Sequence, residues 1–468
     1  MKPSNESHDA AVEDVQQTLY AKHQKIYPRK VTGLFANLKI TSVLVLLGIF
    51  YIFPWIQWGE RQAVLFDLPA RQFYVFGLVF WPQDFIYLAF LLIIAGLSLF
   101  FFTALAGRLW CGFACPQTVW TEVFLWIERM VEGDRPQRMK LDKTSLDARK
   151  LRLKATKHTL WILFSLFTGF TFIGYFTPIR DLAAGLYPYQ LSGWETFWMF
   201  FYGFATYGNA GWMREQVCTY MCPYARFQSA MFDKDTMIIA YDTKRGEPRG
   251  SRKRGEDYQA KGLGECIDCT MCVQVCPTGI DIRNGLQYQC ISCSACIDIC
   301  DEVMDKMNYP KGLIRYTTEH ALSGTPTHIF RPRIFVYGGL LLLLMAILVV
   351  AIATRNPVQL DVMRDRASLY RETPQGLIEN VYIVKAINKS NITRSFELTA
   401  SGLDGVQVVL DREIMVEAGG VLDVPVSLVV APKAIPERSN TVMFKLTAKD
   451  DPNLSNEEEA RFLGPVYR

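Results

Sequence analysis

Two cysteine runs with the same spacing lie close together between residues 266 and 300. Each has the form Cys-x2-Cys-x2-Cys-x3-Cys, and the cysteines are Cys266, Cys269, Cys272 and Cys276, then Cys290, Cys293, Cys296 and Cys300. Thiolate sulfur is a soft ligand for iron, and this repeated spacing is typical of bacterial ferredoxins with two 4Fe–4S clusters. The runs therefore predict an electron carrier.

The order of the cysteines predicts which of them share a cluster. In ferredoxins of this type the first three cysteines of a run bind one cluster and the fourth binds the other. The first cysteine group is then Cys266, Cys269, Cys272 and Cys300, and the second cysteine group is Cys290, Cys293, Cys296 and Cys276. Pro277 follows the first run whereas Asp301 follows the second, which changes the charge near one cluster. Two zinc sites would use the same residue type, but zinc sites seldom repeat this spacing.

The other four cysteines form two matched pairs, each followed by proline. These paired cysteines are Cys111 and Cys115 before Pro116, and Cys218 and Cys222 before Pro223. A separation of four places both sulfurs of a pair on one helix face, and proline ends the helical turn before it. If the pairs converge, they predict a sulfur site that binds or reduces a metal, with Met221 as a further soft donor. Such ligands select Cu(I), or tolerate zinc and iron.

Other interpretations of the pairs stay open. Cysteines in membrane helices often only pack, and two pairs can also form redox disulfides. The chain has five histidines and none is paired within an apolar segment for haem, and there is no Gly-x-Gly-x2-Gly motif for a dinucleotide. We therefore expect the electrons to come from a partner, a cytoplasmic donor that the sequence does not identify.

The composition indicates membrane helices combined with soluble parts. Half of the 468 residues are hydrophobic, 13% are aromatic, and the mean hydropathy is +0.10. The net charge of +4 gives no sign of nucleic-acid binding. Five apolar stretches are long enough to span a bilayer. We place them at residues 38–58, 84–106, 159–177, 194–212 and 334–354.

The distribution of basic residues predicts the orientation in the membrane. Lysine and arginine are concentrated between the second and third stretches, which places that loop, the N-terminus and residues 213–333 in the cytoplasm. The C-terminus is then periplasmic. No signal peptide is recognisable, and all twelve cysteines lie between residues 111 and 300, as expected for metal ligation in a reducing compartment.

These features predict a multi-domain membrane protein with an α-helical core, a ferredoxin insert and a C-terminal β-sandwich. Residues 359–468 alternate short apolar runs with turn residues, which is typical of an all-β domain. A segment rich in lysine and arginine, residues 241–262, precedes the cysteine runs. This basic linker would be a solvated connector near anionic lipid, or a docking strip for an acidic electron donor. The predicted parts are a cytoplasmic segment (1–37), a four-span core (38–240), a basic linker (241–262), a cytoplasmic two-cluster domain (263–320), a fifth transmembrane helix (334–354) and a periplasmic β domain (359–468).

The combination of motifs resembles a known family. Two Cys-x3-Cys-Pro motifs, a two-cluster loop and a fifth span resemble the NosR/NapH-like membrane polyferredoxins. The β domain and the segment from Arg245 to Gly250 narrow the resemblance to the CcoG (FixG/RdxA) family of cytochrome c oxidase accessory proteins. The resemblance implies an immunoglobulin-like β domain and an inner-membrane enzyme that reduces Cu(II) to Cu(I) for assembly of a C-family haem–copper oxidase.

The resemblance also implies partners, and it leaves rival functions. Copper chaperones and oxidase assembly factors would receive the metal, and a homodimer is an option that the sequence leaves open. One rival is an electron-transfer subunit that oxidises quinol and feeds a periplasmic reductase. The other is an assembly scaffold without redox function.

Overall fold

The computed structural model describes residues 25–366, 368–390 and 392–465. Most of the predicted N-terminal segment, 1–37, therefore lies outside the described residues. Contacts divide the chain into two compact units, each made of three stretches. The first unit contains residues 1–51, 96–172 and 192–339, and the second contains residues 52–95, 173–191 and 340–468.

Three helices among the described residues are long and apolar enough to cross a membrane. They are Leu34–Trp55, Pro82–Ala106 and Pro332–Ala353, and they coincide with the first, second and fifth predicted spans. The helix Ala148–Ile173 carries basic residues over its first part. The α-helix Gly193–Thr206 has only 14 residues and continues in π-helical turns over Tyr207–Met213. The predicted number of five spans is therefore not confirmed.

Shorter helices in the first unit begin or end at recognisable signals. Proline opens Pro116–Glu132 and Pro223–Met231, where its missing N–H costs no hydrogen bond. Asp134 and Gln137 form a capping box at the start of Arg135–Lys143. The remaining short helices of this unit are Leu109–Phe113, Thr243–Gly246, Met271–Val275, Ala295–Met307 and Glu319–Ser323, with a π-helical segment at Val217–Met221.

A buried ionic network joins three helices of the first unit. Glu128 has no exposed surface, and its carboxylate lies 3.0 Å from Arg138 and 3.0 Å from Arg214. Lys157 lies 3.0 Å from Glu132 and 3.8 Å from Glu128. Because removing one partner would leave a buried charge uncompensated, this network fixes Arg214 and the segment that leads to Cys218.

Residues before the predicted two-cluster domain pack against it. The strand Ile238–Tyr241 pairs antiparallel with Ile314–Thr317, with Tyr241 opposite Ile314. The segment 241–262, expected to be a linker, packs on the first cysteine run: Gly250 N–H donates to the Cys266 carbonyl at 3.2 Å and Gly264 N–H to the Pro248 carbonyl at 2.8 Å. Backbone hydrogen bonds thus hold this segment against the first cysteine run, and the boundary at residue 263 stays a prediction.

The second unit contains the predicted β-sandwich. Burial alternates along its strands, and the inward side chains, such as Tyr382, Val384 and Phe444, form one core. One sheet has the order Gln407–Leu410, Val421–Val430, Ile378–Asn388 and Val358–Arg364, with Arg371–Glu372 also paired to Ile378–Asn388. The other has the order Ile414–Val416, Arg394–Ser401, Ser439–Ala448 and Ser455–Leu463. All pairs are antiparallel, for example Tyr382 opposite Val426 and Phe444 opposite Glu458.

The second unit also contains a small meander in the region predicted as a loop. The strands Val64–Asp67, Gln72–Val75 and Leu78–Phe80 form a three-stranded antiparallel sheet, and a two-stranded ribbon, Gln57–Trp58 with Arg61–Gln62, precedes it. Val79 and Trp81 pack against Ile387 of the β domain. A helical turn, Ile179–Ala184, completes this unit.

A buried ion pair attaches the β domain to this meander, and its loss should destabilise the second unit. Lys389 Nζ lies 2.7 Å from Asp84, and both side chains are less than a tenth exposed. We expect Asp84→Asn to lower the free energy of unfolding by about 3 kcal/mol, because Lys389 would stay buried without its anion. Thermal unfolding in detergent measures the change. The exposed pair Lys449–Glu413 supplies the control Glu413→Gln, with an expected loss below about 1 kcal/mol. Equal losses in the two variants would contradict the prediction.

Candidate metal and redox site

The two ferredoxin cysteine runs share one backbone conformation. The backbone is in the left-handed conformation, with φ between 53° and 62°, at Asp268 and Thr270 in the first run and at Ser292 and Ser294 in the second. These four residues occupy corresponding positions between the cysteines. Non-glycine residues seldom adopt this conformation, and successive residues of opposite hand turn their N–H groups toward a common anion. The loops therefore suit a bound group that carries negative charge.

The structure brings the eight cysteines together in two sets. Cys266, Cys269, Cys272 and Cys300 line one cavity, whose apolar wall includes Met304 and Ile314. Cys276, Cys290, Cys293 and Cys296 line a second cavity, whose wall includes Ile239 and Ile282; Cys272 reaches its edge. The sets are the two groups expected from the spacing. The ligation itself stays a prediction.

The residues present fit a cluster better than a single ion. Among the described residues, no three His, Cys, Asp or Glu side chains are close enough to share one metal ion. One ion bonded to sulfur at about 2.3 Å draws its ligands tightly together, whereas a cubane cluster holds its cysteines farther apart. Four cysteines around a small apolar cavity match the second arrangement.

The paired cysteines have matching local structures. Cys111 lies in the helix Leu109–Phe113, and Cys115 is extended, with ψ 129°, directly before Pro116. Cys218 lies in the π-helical segment, and Cys222 is extended, with ψ 110°, before Pro223. The expectation that each pair lies on one helix face is therefore wrong for the second cysteine of each pair, because proline excludes the helical conformation at the residue before it.

The four paired cysteines lie near one another. A charge on any one of them raises the pKa of another, and this holds for all six pairs among Cys111, Cys115, Cys218 and Cys222. Burial, followed by the charge of Cys115, raises the pKa of Cys111 to about 11. Burial, followed by the charges of its three neighbours, raises the pKa of Cys218 to about 12. Burial and mutual repulsion therefore oppose ionisation of these thiols, whereas a bound metal ion would favour it, because metal ligands must be deprotonated.

The polar contacts of the paired cysteines are few. Cys111 Sγ donates to Gln228 Oε1 at 3.3 Å, and Thr118 Oγ1 donates to the Cys111 carbonyl at 2.6 Å. Gln228 has no exposed surface, and its Nε2 has no hydrogen-bond partner in the described structure. The hydrogen bond with Gln228 lowers the pKa of Cys111 and so opposes the rise that burial causes. Met221 is 59% exposed and stays a predicted copper ligand.

The first paired motif touches the second ferredoxin run. A Cβ atom added to Gly112 would lie 2.6 Å from the Ser292 carbonyl oxygen and 2.9 Å from that of Ile291. Only glycine allows this approach, since real Cβ atoms do not come so close to backbone oxygen. Cys218 also shares a cavity of about 40 Å³ with Pro277 and Ile291, which flank ligands of the second cysteine group. The paired cysteines therefore adjoin the second cysteine group.

Arg108 connects these parts. It is 4% exposed, and its guanidinium donates to the carbonyls of Cys290 at 2.9 Å, Ala225 at 2.6 Å and Tyr288. Burial lowers the pKa of Arg108, and the charges of nearby cysteines oppose this change. The planar fork of arginine suits several acceptors at once. Arg108 therefore fixes the second cysteine run against the segment that follows Cys222.

Sequence reasoning missed three residues of this site. They are Arg108, Gly112 and Gln228, none of which was considered. Gly112 carried a usable signal, because it lies between two motif cysteines where a side chain would be expected. Arg108 and Gln228 carried none, since their partners are remote in sequence.

Comparison with known protein families agrees with these assignments. A model described as a 4Fe-4S dicluster domain matches residues 213–319, and one described as a 4Fe-4S binding domain matches residues 88–131. A third, described as an IG-like fold at the C-terminal of FixG, putative oxidoreductase, matches residues 348–465. The predicted β-sandwich and the iron–sulfur character are thereby confirmed.

Individual proteins match over most of the chain. Protein RdxB of Cereibacter sphaeroides is 43% identical over 82% of this chain and 83% of its own length. Protein RdxA of the same organism is 39% identical over 88% of each chain. Nitrogen fixation protein FixG of Rhizobium meliloti is 38% identical over 83% of this chain and 81% of its own length.

A solved structure matches part of the chain. The crystal structure of a FixG-related protein from Vibrio parahaemolyticus is 33% identical, covering 24% of this chain and all of that one, with a TM-score of 0.22. The relatives that match most of the chain, rather than this partial match to a solved structure, decide the family. Their identity and coverage, together with the match to the FixG C-terminal domain, establish that the chain belongs to the FixG/RdxA family of iron–sulfur redox proteins.

Proposed function

We propose that this protein is a membrane-bound iron–sulfur cupric reductase, which takes electrons from a donor outside the chain and reduces Cu(II) to Cu(I). Each copper ion accepts one electron. The observation that carries the proposal is the close approach of Gly112 to Ser292, which puts a set of soft sulfurs next to a predicted cluster ligand set. Thiolate and thioether sulfur favour Cu(I) over harder ions.

The paired cysteines would bind the substrate. In this proposal their sulfurs hold the copper, because soft thiolate ligands select Cu(I). Gln228 would orient Cys111, and Thr118 would fix the turn through the Cys111 carbonyl. When bound, 4Fe–4S clusters supply one-electron transfer. The protein's own part is to hold the substrate next to the electron source.

The product would serve the assembly of a C-family haem–copper oxidase. In this proposal the Cu(I) passes to a copper chaperone or to an assembly factor, and the β domain binds a partner on the periplasmic side. The cytoplasmic position of the ferredoxin region belongs to the same proposal. Deleting residues 359–468 would then impair oxidase assembly in cells without changing copper reduction by the purified protein.

The proposal is tested by replacing sulfur at the paired cysteines. Anaerobically purified protein should contain about eight iron atoms per chain. After reduction with dithionite and removal of the excess, added Cu(II) should lose its EPR signal as the protein is reoxidised. We expect Cys111→Ser and Cys218→Ser to keep their iron and to leave the Cu(II) signal in place, because serine oxygen is a poor ligand for Cu(I).

Tyr220→Phe is the matched control. Tyr220 lies between Cys218 and Cys222 and is 65% exposed, so its variant should reduce copper like the parent. A Cu(II) signal that persists in the reduced parent protein would refute copper reduction and favour an electron-transfer subunit with another acceptor. Normal copper reduction by both serine variants would show that the paired cysteines are not the site.

A further inference from the structure

A cavity of about 480 Å³ lies against the second cysteine group within the first unit. Its wall includes Cys293 and Pro277, and the side chains of Trp126 and Leu125 line it. The volume lies within the range of ligand-binding pockets, about 300–1,000 Å³. No part of the proposed copper chemistry uses this cavity. Its contact with a predicted cluster ligand suggests a ligand that exchanges electrons.

The cavity opens on an apolar helix surface. Ile40 and Leu44 line it, and they are 41% and 59% exposed on the helix Leu34–Ile52. This helix belongs to the candidate membrane span Leu34–Trp55, so its exposed apolar side chains would face lipid. On another side, the exposed residues Arg29 and Lys30 line the cavity. A ligand that enters here would have an apolar body and a polar head.

Three charged side chains lie inside the cavity. Glu122 accepts a hydrogen bond from Lys39 at 2.7 Å and pairs with Arg129 at 2.5 Å, and all three are largely buried. Although burial opposes its ionisation, the charges of Lys39 and Arg129 lower the pKa of Glu122 to about 2. The triad thus combines a fixed anionic acceptor with two cationic donors. An aromatic ring with a hydroxyl group at one end and a carbonyl or hydroxyl oxygen at the other could use both kinds of group.

We propose that the cavity binds a membrane quinol, and that this quinol is the electron donor of the protein. The inference rests on the proposed function, and it identifies the electron donor that the proposed function leaves open. One quinol loses two electrons and two protons and becomes the quinone as its two O–H bonds break. The protons go to water, and the two electrons reduce two Cu(II) ions to Cu(I) in two one-electron steps.

The charges around the two cysteine groups agree with electron entry at the second group. Arg108 donates to the Cys290 carbonyl, and Lys39 lines the same cavity as Cys293. Positive charge stabilises a reduced cluster and raises its reduction potential. The first cysteine group has both acidic and basic neighbours.

The acidic neighbours of the first group are identified by sequence and by ion pairs. Asp301 follows Cys300, and Asp268 precedes Cys269. Arg283, which pairs with Asp268 at 2.5 Å, is also paired with Asp281 at 2.6 Å. Because Arg283 balances these acids, position rather than charge favours electron entry at the second group, which adjoins both the cavity and the paired cysteines.

The experiment uses the whole chain in lipid nanodiscs. A short-chain benzoquinol and a short-chain naphthoquinol are added anaerobically, without copper, and cluster reduction is followed by EPR and by bleaching of visible absorbance. We expect at least one quinol to reduce the parent protein, and Leu44→Trp to lose this reduction because the indole fills the mouth of the cavity. Val45→Trp is the matched control, since Val45 is 53% exposed on the same helix and does not line the cavity.

Each outcome decides the proposal. If neither quinol reduces the parent, or if Leu44→Trp behaves like Val45→Trp, the cavity is not the quinol site. Retention of phosphatidylglycerol by the parent, lost in Leu44→Trp without any effect on quinol-driven reduction, would assign the cavity to an anionic lipid instead. Ile40→Trp repeats the test if Leu44→Trp does not fold.

Dithionite separates this inference from the proposed function. Copper reduction by dithionite-treated Leu44→Trp should equal that of the parent, because the cavity is bypassed. Copper reduction with dithionite but not with quinol would overturn the quinol site alone. Quinol-driven cluster reduction with no copper reduction under either condition would overturn the cupric reductase and leave the quinol site standing.

Discussion

Replacing Gly112 by alanine should slow the reduction of Cu(II) by about 100-fold, the loss that a misplacement of roughly 1 Å typically costs at a reacting site. The added Cβ would lie 2.6 Å from the Ser292 carbonyl oxygen, so either the helix Leu109–Phe113 or the second cysteine run must move. Alanine otherwise favours a helix by about 1 kcal/mol over glycine. A loss of rate would therefore come from the contact and not from helix propensity.

The measurement is stopped-flow reoxidation of dithionite-reduced protein by Cu(II), with iron content determined on the same sample. Gly96→Ala is the control, because Gly96 lies in the preceding helix and an added Cβ there meets nothing within 4 Å. Gly112→Val should be slower than Gly112→Ala, since the larger side chain forces a larger displacement. Parent-like rates in both Gly112 variants would show that electrons do not pass through this contact.

The grouping of the ferredoxin cysteines could be predicted because it depends on a local pattern. The runs around Cys266 and Cys290 fold into turns of the same shape, and the crossing of Cys276 and Cys300 follows from that repeat. The β-sandwich was predictable for a similar reason, since apolar residues alternate along each strand and the same residues are buried. Both features need only neighbouring residues to be recognised.

The membrane core was harder to predict from hydropathy. The stretch 194–212 is aromatic and apolar, yet it is α-helical only to Thr206 and changes to π-helical turns before the second cysteine pair. The meander at 64–80 was taken as a loop, although Phe73, Tyr74 and Val75 are typical strand residues. Apolar runs of this length do not by themselves distinguish a membrane helix from a sheet or an irregular segment.

The contacts that join the two cysteine patterns could not be predicted at all. Arg108 binds the carbonyls of Tyr288 and Cys290, about 180 positions later in the chain. The basic segment at 241–262 was assigned by charge, but backbone hydrogen bonds to Cys266 and its neighbours decide its position. Such contacts join residues that are remote in sequence, so no periodic pattern of residue types indicates them.

Replacing Arg108 by leucine should remove the metal from the second cysteine group and lower the iron content from about eight to about four atoms per chain. Leucine cannot donate to the carbonyls of Cys290, Ala225 and Tyr288, which would stay buried without these hydrogen bonds. Each hydrogen bond from a charged donor contributes about 1.5–3 kcal/mol, so the run that carries Cys290 and Cys293 would lose its attachment. These contacts hold the second run, so the first cysteine group should keep its cluster.

Iron analysis combined with EPR of the reduced protein distinguishes the two groups, because the loss of one cluster also removes the magnetic coupling between them. Arg226→Leu is the matched control, since Arg226 is exposed on the helix that follows Cys222 and should keep all its iron. Arg108→Lys should give an intermediate result, because an ammonium group keeps the charge but cannot reach all three acceptors as a planar fork does. Full iron content in Arg108→Leu would mean that the second run is held by its own turns, and the coupling between the two cysteine patterns would then depend on Gly112 alone.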